Sequence, residues 1–361
     1  MNGLLVVSHT YVEPENRRKL RALAEDGPVT VVVPRRWREG ALRREWRLAG
    51  DTQDGLVRVV AAPWLGPMRA SIGLLRVPGR ALRDVGLVQV EEEPWTPTAW
   101  RTLARAGSTP VCLFSWENLD RPMPFPWSAW RRRVFGGIAG LLAGSSGAVD
   151  VARAQGYAGP AAVIPQLGVD LPPARARHSG PGMNVVFVGR LVGEKGMDLL
   201  LRAMSGLPAD CRLEIVGDGP EREALERLAG ELGLKSTRFL GARAHAEVAA
   251  VWESADVLVL PSRAKPSWKE QLGHVLLEAM AHGVAVIGAD SGAIPDVIGD
   301  AGIIFPENDH AALHRRLAAL AADPERRAAL GAAGRRRVAA LFTNARIAER
   351  TRAFHREVLG R

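Results

Sequence analysis

The chain has 361 residues, a net charge of +9, ordinary apolar and charged fractions, ten tryptophans and two cysteines. That length holds two domains with full cores, and the composition excludes a disordered or fibrous chain. With no run of 18 apolar residues, no transmembrane helix is expected. The positive charge is concentrated in residues 1–170, which hold 22 Lys and Arg against 16 Asp and Glu. Such a half points to an acidic acceptor, an anionic membrane surface or nucleic acid, or simply to an arginine-rich composition.

Leu4-Leu5-Val6-Val7 is a short apolar run of the kind buried on both faces of a parallel sheet. With no basic n-region and no long apolar core, the start reads as a strand rather than a secretory leader. Ser8-His9-Thr10-Tyr11 follows, and a helix is predicted from about Glu13 with Pro14 near its start. Strands are predicted at 29–33, 57–60, 85–90, 111–114 and 140–143, and helices near 98–106 and 127–135. Strands alternating with helices argue for a doubly wound α/β domain. The stretch from Trp64 to Arg83 breaks the rhythm. Its apolar residues are interleaved with Arg69, Arg76, Arg80 and Arg83 and no acid. It reads either as an amphipathic segment lying on an anionic membrane or as a core-facing helix with a solvated basic face.

Residues 172–182 are rich in Pro, Gly, Ala and Arg, so the linker is placed at 172–183, after a first domain at 1–171. A second α/β alternation at 184–343 has strands near 184–188, 211–216, 237–240, 256–260, 284–288 and 302–305. Alanine- and arginine-rich helices cover 309–340, and a last helix occupies 344–361. Cys112 and Cys211 fall in strand-like runs in different halves, which reads as buried thiols in a reducing, cytoplasmic compartment.

The richest stretch runs from Lys269 to Gly288. Glu270 precedes a helical pattern and Glu278 lies about two turns into it, so the carboxylates are separated by roughly 12 Å along the axis. The helix start at Gln271, Leu272 and Gly273 offers unpaired N–H groups to an anion, and Gly273 lets the backbone approach closely. A nucleotide diphosphate with a sugar at one end and a ribose at the other fits this layout. Arg190 and Lys195 follow the strand Val185-Val186-Phe187-Val188-Gly189, where loops line the ligand crevice of a parallel sheet. Two cations there can neutralise a diphosphate leaving group, and Gly189, Gly193 and Gly196 keep the loop open to it. The alternative is a solvated Arg190 and a Lys195 paired with Glu194. Val216-Gly217-Asp218-Gly219-Pro220 is not a dinucleotide loop, because Arg222 stands at the third glycine position. It reads as a tight turn after a strand, with Gly217 near the nucleotide. No Asp-x-Asp and no metal-ligand spacing of histidines occurs, so no metal and no other cofactor is expected.

Glu270 through Glu278 resembles the E-x7-E element of retaining glycosyltransferases of family 4, which have the GT-B fold. Pro261-Ser262, Gly283-Val284-Ala285-Val286, Ser291 through Ile298, Val188 through Gly196 and Val216 through Pro220 resemble that family in the same order, covering most of 184–305. The first half matches loosely. The resemblance implies two Rossmann-like domains facing an interdomain cleft, with the C-terminal helix crossing back to the first domain and domain closure assembling the site. It implies transfer of a sugar from a UDP- or GDP-type donor to a glycan, lipid-linked or small-molecule acceptor. Glu278 would take the ribose, Glu270 the donor sugar, and Arg190 with Lys195 the phosphates. The turn Leu240-Gly241-Ala242-Arg243 would hold the base. Front-side attack, with the leaving phosphate taking the proton, needs no protein nucleophile. The resemblance also raises the prospect of a peripheral place on the inner face of the cell membrane.

The first half must then meet the acceptor. His9 and Thr10, in the loop after the first strand, are candidates. Family members often carry a functional histidine later, where this chain reads Phe114-Ser115-Trp116-Glu117-Asn118. Trp116, Glu117 and the run Glu91 to Glu93 are the replacement candidates, since a carboxylate can orient an acceptor hydroxyl or take its proton. Two rivals stay open: a nucleotide-sugar epimerase of the same fold, and a non-catalytic nucleotide-sugar or membrane-surface binding protein. No nucleic-acid-binding module is recognisable.

Overall fold

The computed structural model describes residues 3–39, 44–174 and 182–360. The chain divides into two compact units, Met1–Gly168 with Asn344–Arg361, and Val169–Thr343. Much of the expected linker lies outside the described residues.

The first unit has strands β1 (Gly3–Val7), β2 (Val29–Pro34), β3 (Arg36–Glu39), β4 (Arg44–Arg47), β5 (Thr52–Asp54), β6 (Val57–Ala62), β7 (Trp64–Leu65), β8 (Leu74–Leu75), β9 (Val85–Val90), β10 (Val111–Ser115), β11 (Gly140–Ala143) and β12 (Ala161–Val163). Eight of them form one sheet in the order β12-β11-β10-β9-β1-β2-β6-β5. Its pairings are parallel except at the edge, where β5 runs against β6. Two antiparallel hairpins, β3–β4 and β7–β8, stand outside it. The strands are continuous apolar runs because both faces are covered: Leu5 and Val7 enter one cluster and Val6 another. Helices α1 (Arg18–Ala24), α2 (Pro97–Ala106), α3 (Trp127–Phe135) and α4 (Ser146–Ala154) pack on the sheet. Thr96 starts α2 by accepting the Ala99 N–H at 3.1 Å, with Pro97 in its first turn. The C-terminal helix Asn344–Val358 belongs to this unit and buries Ile347, Ala348 and Phe354 in its core.

Two local predictions need correction. The helix expected from Glu13 begins as a 3-10 turn, Pro14–Arg17, and becomes α-helical only at Arg18. The stretch from Trp64 to Arg83 is no helix. It forms the β7–β8 hairpin and a 3-10 turn at Gly79–Leu82. Gly66, Pro67, Gly73 and Pro78 break any helical run, and a Cβ at Gly73 would lie 2.3 Å from the Trp64 ring that packs on it. The sequence reading also missed the hairpin β3–β4.

The second unit has strands β13 (Met183–Val188), β14 (Cys211–Val216), β15 (Thr237–Gly241), β16 (Val257–Leu260), β17 (Ala285–Ala289) and β18 (Ile303–Phe305), all parallel, in the order β15-β14-β13-β16-β17-β18. The chain winds outward from β13 to β15, then returns to β16 on the other side. The topological switch point therefore lies between β13 and β16, and ligands of such sheets bind at the carboxyl ends of the strands there. Helices α5 (Met197–Met204), α6 (Arg222–Glu231), α7 (His245–Ser254), α8 (His274–Ala281), α9 (Ile294–Ile298), α10 (His310–Ala321) and α11 (Pro324–Leu341) complete the unit. Cys112 and Cys211 are free and buried, and burial pushes the Cys112 thiol up to about 12. No helix among the described residues is long and apolar enough to cross a membrane.

Candidate functional site

In the second unit the predicted residues gather at the switch point. Lys195 lies on a 3-10 turn, Gly193–Lys195, after β13. Its Nζ is 2.6 Å from Glu270 Oε2, and the Ser262 hydroxyl donates to the same oxygen at 2.9 Å. Ser262 is fully buried and Glu270 nearly so. Lys195 also sits over the Trp268 ring, 5.0 Å from its centroid. Backbone approach makes this packing possible. Gly196 has φ +65°, and a Cβ there would lie 2.1 Å from the Pro261 carbonyl oxygen. Gly217 has φ +143°, and its Cβ would lie 1.8 Å from the Gly189 carbonyl oxygen, so the ends of β13 and β14 close on each other only without side chains. The turn Ser291-Gly292-Ala293 holds Glu270 from below: the Ala293 N–H donates to the Glu270 carbonyl at 3.0 Å.

Several placements differ from the sequence reading. Lys195 pairs with Glu270 and not with Glu194, whose carboxylate meets Lys265 at 3.1 Å. Helix α8 starts at His274, after Gly273 in the left-handed region at φ +67°, so Glu270 precedes the helix and Glu278 lies one turn into it. The axial spacing of roughly 12 Å, which assumed a continuous helix, does not apply. Leu272 and Gly273 are buried at this start and Gln271 is exposed. His274 Nδ1 lies 3.0 Å from Glu278 Oε1. Arg190 is exposed; the Glu194 carboxyl is held below the usual range first by a hydrogen bond from its own backbone, then by the Lys265 ammonium, with the Arg190 charge the smallest contribution. Leu240 is inside β15 and not in a turn, while exposed Arg243 faces Glu247 at 3.6 Å. Ser262 and Trp268 were missed as site residues. Ser262 entered the sequence reading only within the Pro261-Ser262 resemblance, with no role given to it, and Trp268 gave no signal.

In the first unit the switch point lies between β1 and β9. His9 Nδ1 approaches Glu92 Oε1 at 2.6 Å, and the same oxygen accepts the His9 backbone N–H at 2.9 Å. The His9 ring packs against Trp37, with centroids 4.6 Å apart. Thr10 donates its N–H to Ser8 Oγ at 3.1 Å. Glu91 does not face an acceptor. It is buried, paired with Lys19 at 2.7 Å, and accepts from Tyr11 at 2.6 Å, from Gln166 at 2.9 Å and from Gln89. A fully enclosed carboxylate of this kind needs all its donors. Trp116 donates its indole N–H to Gln166 at 2.9 Å, and its ring covers Gly144. Glu117 accepts the Leu119 N–H at 3.1 Å, and burial pushes its carboxyl above the usual range. Glu93 accepts from Ser115 at 2.5 Å and from the Trp116 N–H at 2.8 Å, and burial raises it to about 7.

Residues 177–337 match the family model described as "Glycosyl transferases group 1". The second unit is a glycosyl transferases group 1 domain. The chain is 38% identical over 201 residues to the GDP-mannose-dependent alpha-(1-6)-phosphatidylinositol monomannoside mannosyltransferase of Mycolicibacterium smegmatis, covering 49% of this chain and 52% of that protein. It is 37% identical over 156 residues to the sulfoquinovosyl transferase of Arabidopsis thaliana, covering 42% of this chain and 29% of that one. The chain therefore spans about half the length, or less, of these curated relatives. Among solved structures, sucrose-phosphate synthase from Thermosynechococcus elongatus aligns over 100% of both chains with TM-score 0.73 at 20% identity. Anabaena Alr3699/HepE in complex with UDP aligns over 99% of this chain and 100% of that one, with TM-score 0.72 at 16% identity. These likenesses identify the GT-B fold. Within the group 1 domain, Glu270, Lys195 and Ser262 form one contact cluster, whereas among the described residues Leu240 lies within β15 and Arg243 faces Glu247, outside that cluster.

Proposed function

We propose that this chain is a retaining glycosyltransferase that moves a sugar from a nucleotide diphosphate sugar to a glycan or lipid-linked acceptor. One observation carries the reading: a lysine, a buried glutamate and the start of α8 converge at the switch point of a doubly wound sheet. Lys195 and Arg190 neutralise the diphosphate, so the positive charge comes from side chains and no metal is required. The N–H groups at the start of α8 add a further anion site. Glu270 holds hydroxyls of the donor sugar and Glu278 those of the ribose. Front-side attack lets the departing phosphate collect the acceptor proton. Because the Mycolicibacterium relative is a GDP-mannose-dependent mannosyltransferase, GDP is the first base to try, with UDP second.

The test is a thermal-shift panel of GDP, UDP, ADP and their sugar conjugates on wild type and Glu278→Ala. A ligand that binds only the folded state stabilises it by about 2.7 kcal/mol at a hundred times its Kd. The reading expects stabilisation by one nucleotide that Glu278→Ala weakens. No shift with any nucleotide at millimolar concentration overturns it. The anomeric configuration of the product, read by NMR, tests retention separately.

A further inference from the structure

The first unit carries a cavity of about 210 Å³ between the β7–β8 hairpin and α2. Its apolar lining is Leu65, Leu74, Leu75 and Val77, and its polar lining is Arg76, Arg101, Arg105 and Thr102. All three arginines are exposed, and none of them is in a salt bridge among the described residues. Thr102 is 1% exposed, yet its hydroxyl has no hydrogen-bond partner. A buried hydroxyl without a partner is destabilising, so the cavity holds an unmet polar group beneath three cations that no salt bridge among the described residues neutralises. Apolar walls below and guanidinium groups at the rim suit a molecule with a phosphate at one end and hydrocarbon at the other.

The surroundings favour a lipid in a bilayer over a free amphiphile. Leu75 N–H donates to Thr98 Oγ1 at 2.9 Å and ties the hairpin to α2. Trp100 on α2 stacks on Trp130 of α3 at 5.6 Å, and the Trp127 indole reaches the Ser71 carbonyl at 3.3 Å. The segments 64–83, 97–106 and 121–137 are therefore one joined surface, and together they contain ten arginines and no acid; Arg80 pairs with Asp51 at 3.1 Å and Arg121 faces Glu117 at 3.9 Å, both acids lying outside these segments. The same surface carries three exposed large apolar residues: Phe125 at 82%, Leu65 at 47% and Ile72 at 39%. Arg131 adds buried Nε and Nη1 groups with no acceptor. Half-buried tryptophans beside exposed apolar tips and exposed arginines such as Arg76, Arg101 and Arg105 are the composition of a bilayer interface.

We propose that the cavity rimmed by Arg76, Arg101 and Arg105 binds the phosphate of an anionic phospholipid, with Phe125 and Ile72 entering the interface around it. The proposal does not depend on the transfer reaction. Its test is co-sedimentation with vesicles of phosphatidylcholine alone and of phosphatidylcholine with phosphatidylglycerol, together with thermal shifts by short-chain phosphatidylglycerol and by inorganic phosphate. Wild type should partition onto the anionic vesicles and not the neutral ones. Each surface arginine contributes about 1 kcal/mol at such a membrane, so Arg76→Gln/Arg101→Gln/Arg105→Gln should weaken partition about a hundredfold. Phe125→Ser should weaken it roughly tenfold or more. Arg315→Gln/Arg316→Gln, on exposed positions of the second unit, should leave it unchanged, as should the unfolding temperature of every variant. Absence of wild-type partition, an equal loss in the Arg315/Arg316 variant, or a shift with inorganic phosphate as large as with the short-chain lipid overturns the proposal.

Discussion

The pairing of Lys195 with Glu270 makes a quantitative claim about the second unit. The two side chains are 17% and 10% exposed, with Nζ and Oε2 2.6 Å apart. That places the pair between exposed ion pairs, worth about 0–1 kcal/mol, and buried ones, whose breakage costs about 3–5 kcal/mol. Lys195→Met leaves the Glu270 carboxylate enclosed with the Ser262 hydroxyl, and should cost about 2–3 kcal/mol. Glu270→Gln should cost less, about 1–2 kcal/mol, because Lys195 keeps the Trp268 face and some water. The double variant should cost little more than the larger single one, giving a coupling of about 1–2 kcal/mol. Urea unfolding of the four proteins, read by hydrogen exchange of β13 and β16 so that the first unit does not contribute, measures the cycle. Adding saturating nucleotide diphosphate should shrink the coupling, since Lys195 then shares its charge with phosphate. Additivity within about 0.5 kcal/mol without nucleotide refutes the pairing. A coupling untouched by nucleotide refutes the role of Lys195 at the phosphates.

Other consequences are checked more simply. Glu93 is raised to about 7, so its proton is held in the fold after the unfolded chain has released it. Stability of the first unit should fall as pH rises from about 4.5 to 7, and urea midpoints across that range should lose this slope in Glu93→Gln. His355 runs the other way: burial lowers it to about 4, so stability falls as pH drops from 6.5 towards 4, and His355→Leu should remove that acid-side loss. Gly217→Ala forces a Cβ to 1.8 Å from the Gly189 carbonyl and should cost the second unit several kcal/mol. Gly230→Ala, on α6 with open space around it, should be neutral or stabilising by about 0.5–1 kcal/mol in the same melts. A chelator should leave sugar transfer unchanged if Lys195 and Arg190 alone carry the diphosphate charge; a loss restored by added divalent cation would refute that role.

The second unit was legible because its chemistry sits on short connections whose residue types have few physical alternatives. A glycine at position 217 is demanded by the Gly189 carbonyl, and one at 196 by the Pro261 carbonyl. Each apolar run between them is a strand buried on both faces, so the order of elements follows from periodicity alone. What the spacing could not give was the direction of side chains. Placing Glu278 two turns into the helix overlooked that Gly273 takes the left-handed region and delays the start of α8 to His274. The alternative of a Lys195 paired with its chain neighbour Glu194 gives way to a partner 75 positions away, which spacing along the chain could not name.

The candidate residues of the first unit were hidden for a different reason: three consecutive glutamates look alike in a sequence and have three separate fates in the fold. Alternation along the chain after β9 sends Glu91 inward to Lys19, Tyr11 and Gln166, where it is part of the core. Glu92 turns to His9, and Glu93 to Ser115 and Trp116. Only a carboxylate with a spare oxygen or a labile proton can serve an incoming hydroxyl. Glu91 has spent both oxygens on four donors, whereas Glu93 changes charge near neutral pH and Glu92 holds the imidazole of His9. On the proposed reading of this edge as the acceptor side, the chemistry falls to His9, Glu92 and Glu93, and substituting Glu91 should reduce activity only in proportion to the folded fraction. A Glu91→Gln enzyme that stays fully folded yet loses turnover would overturn that division.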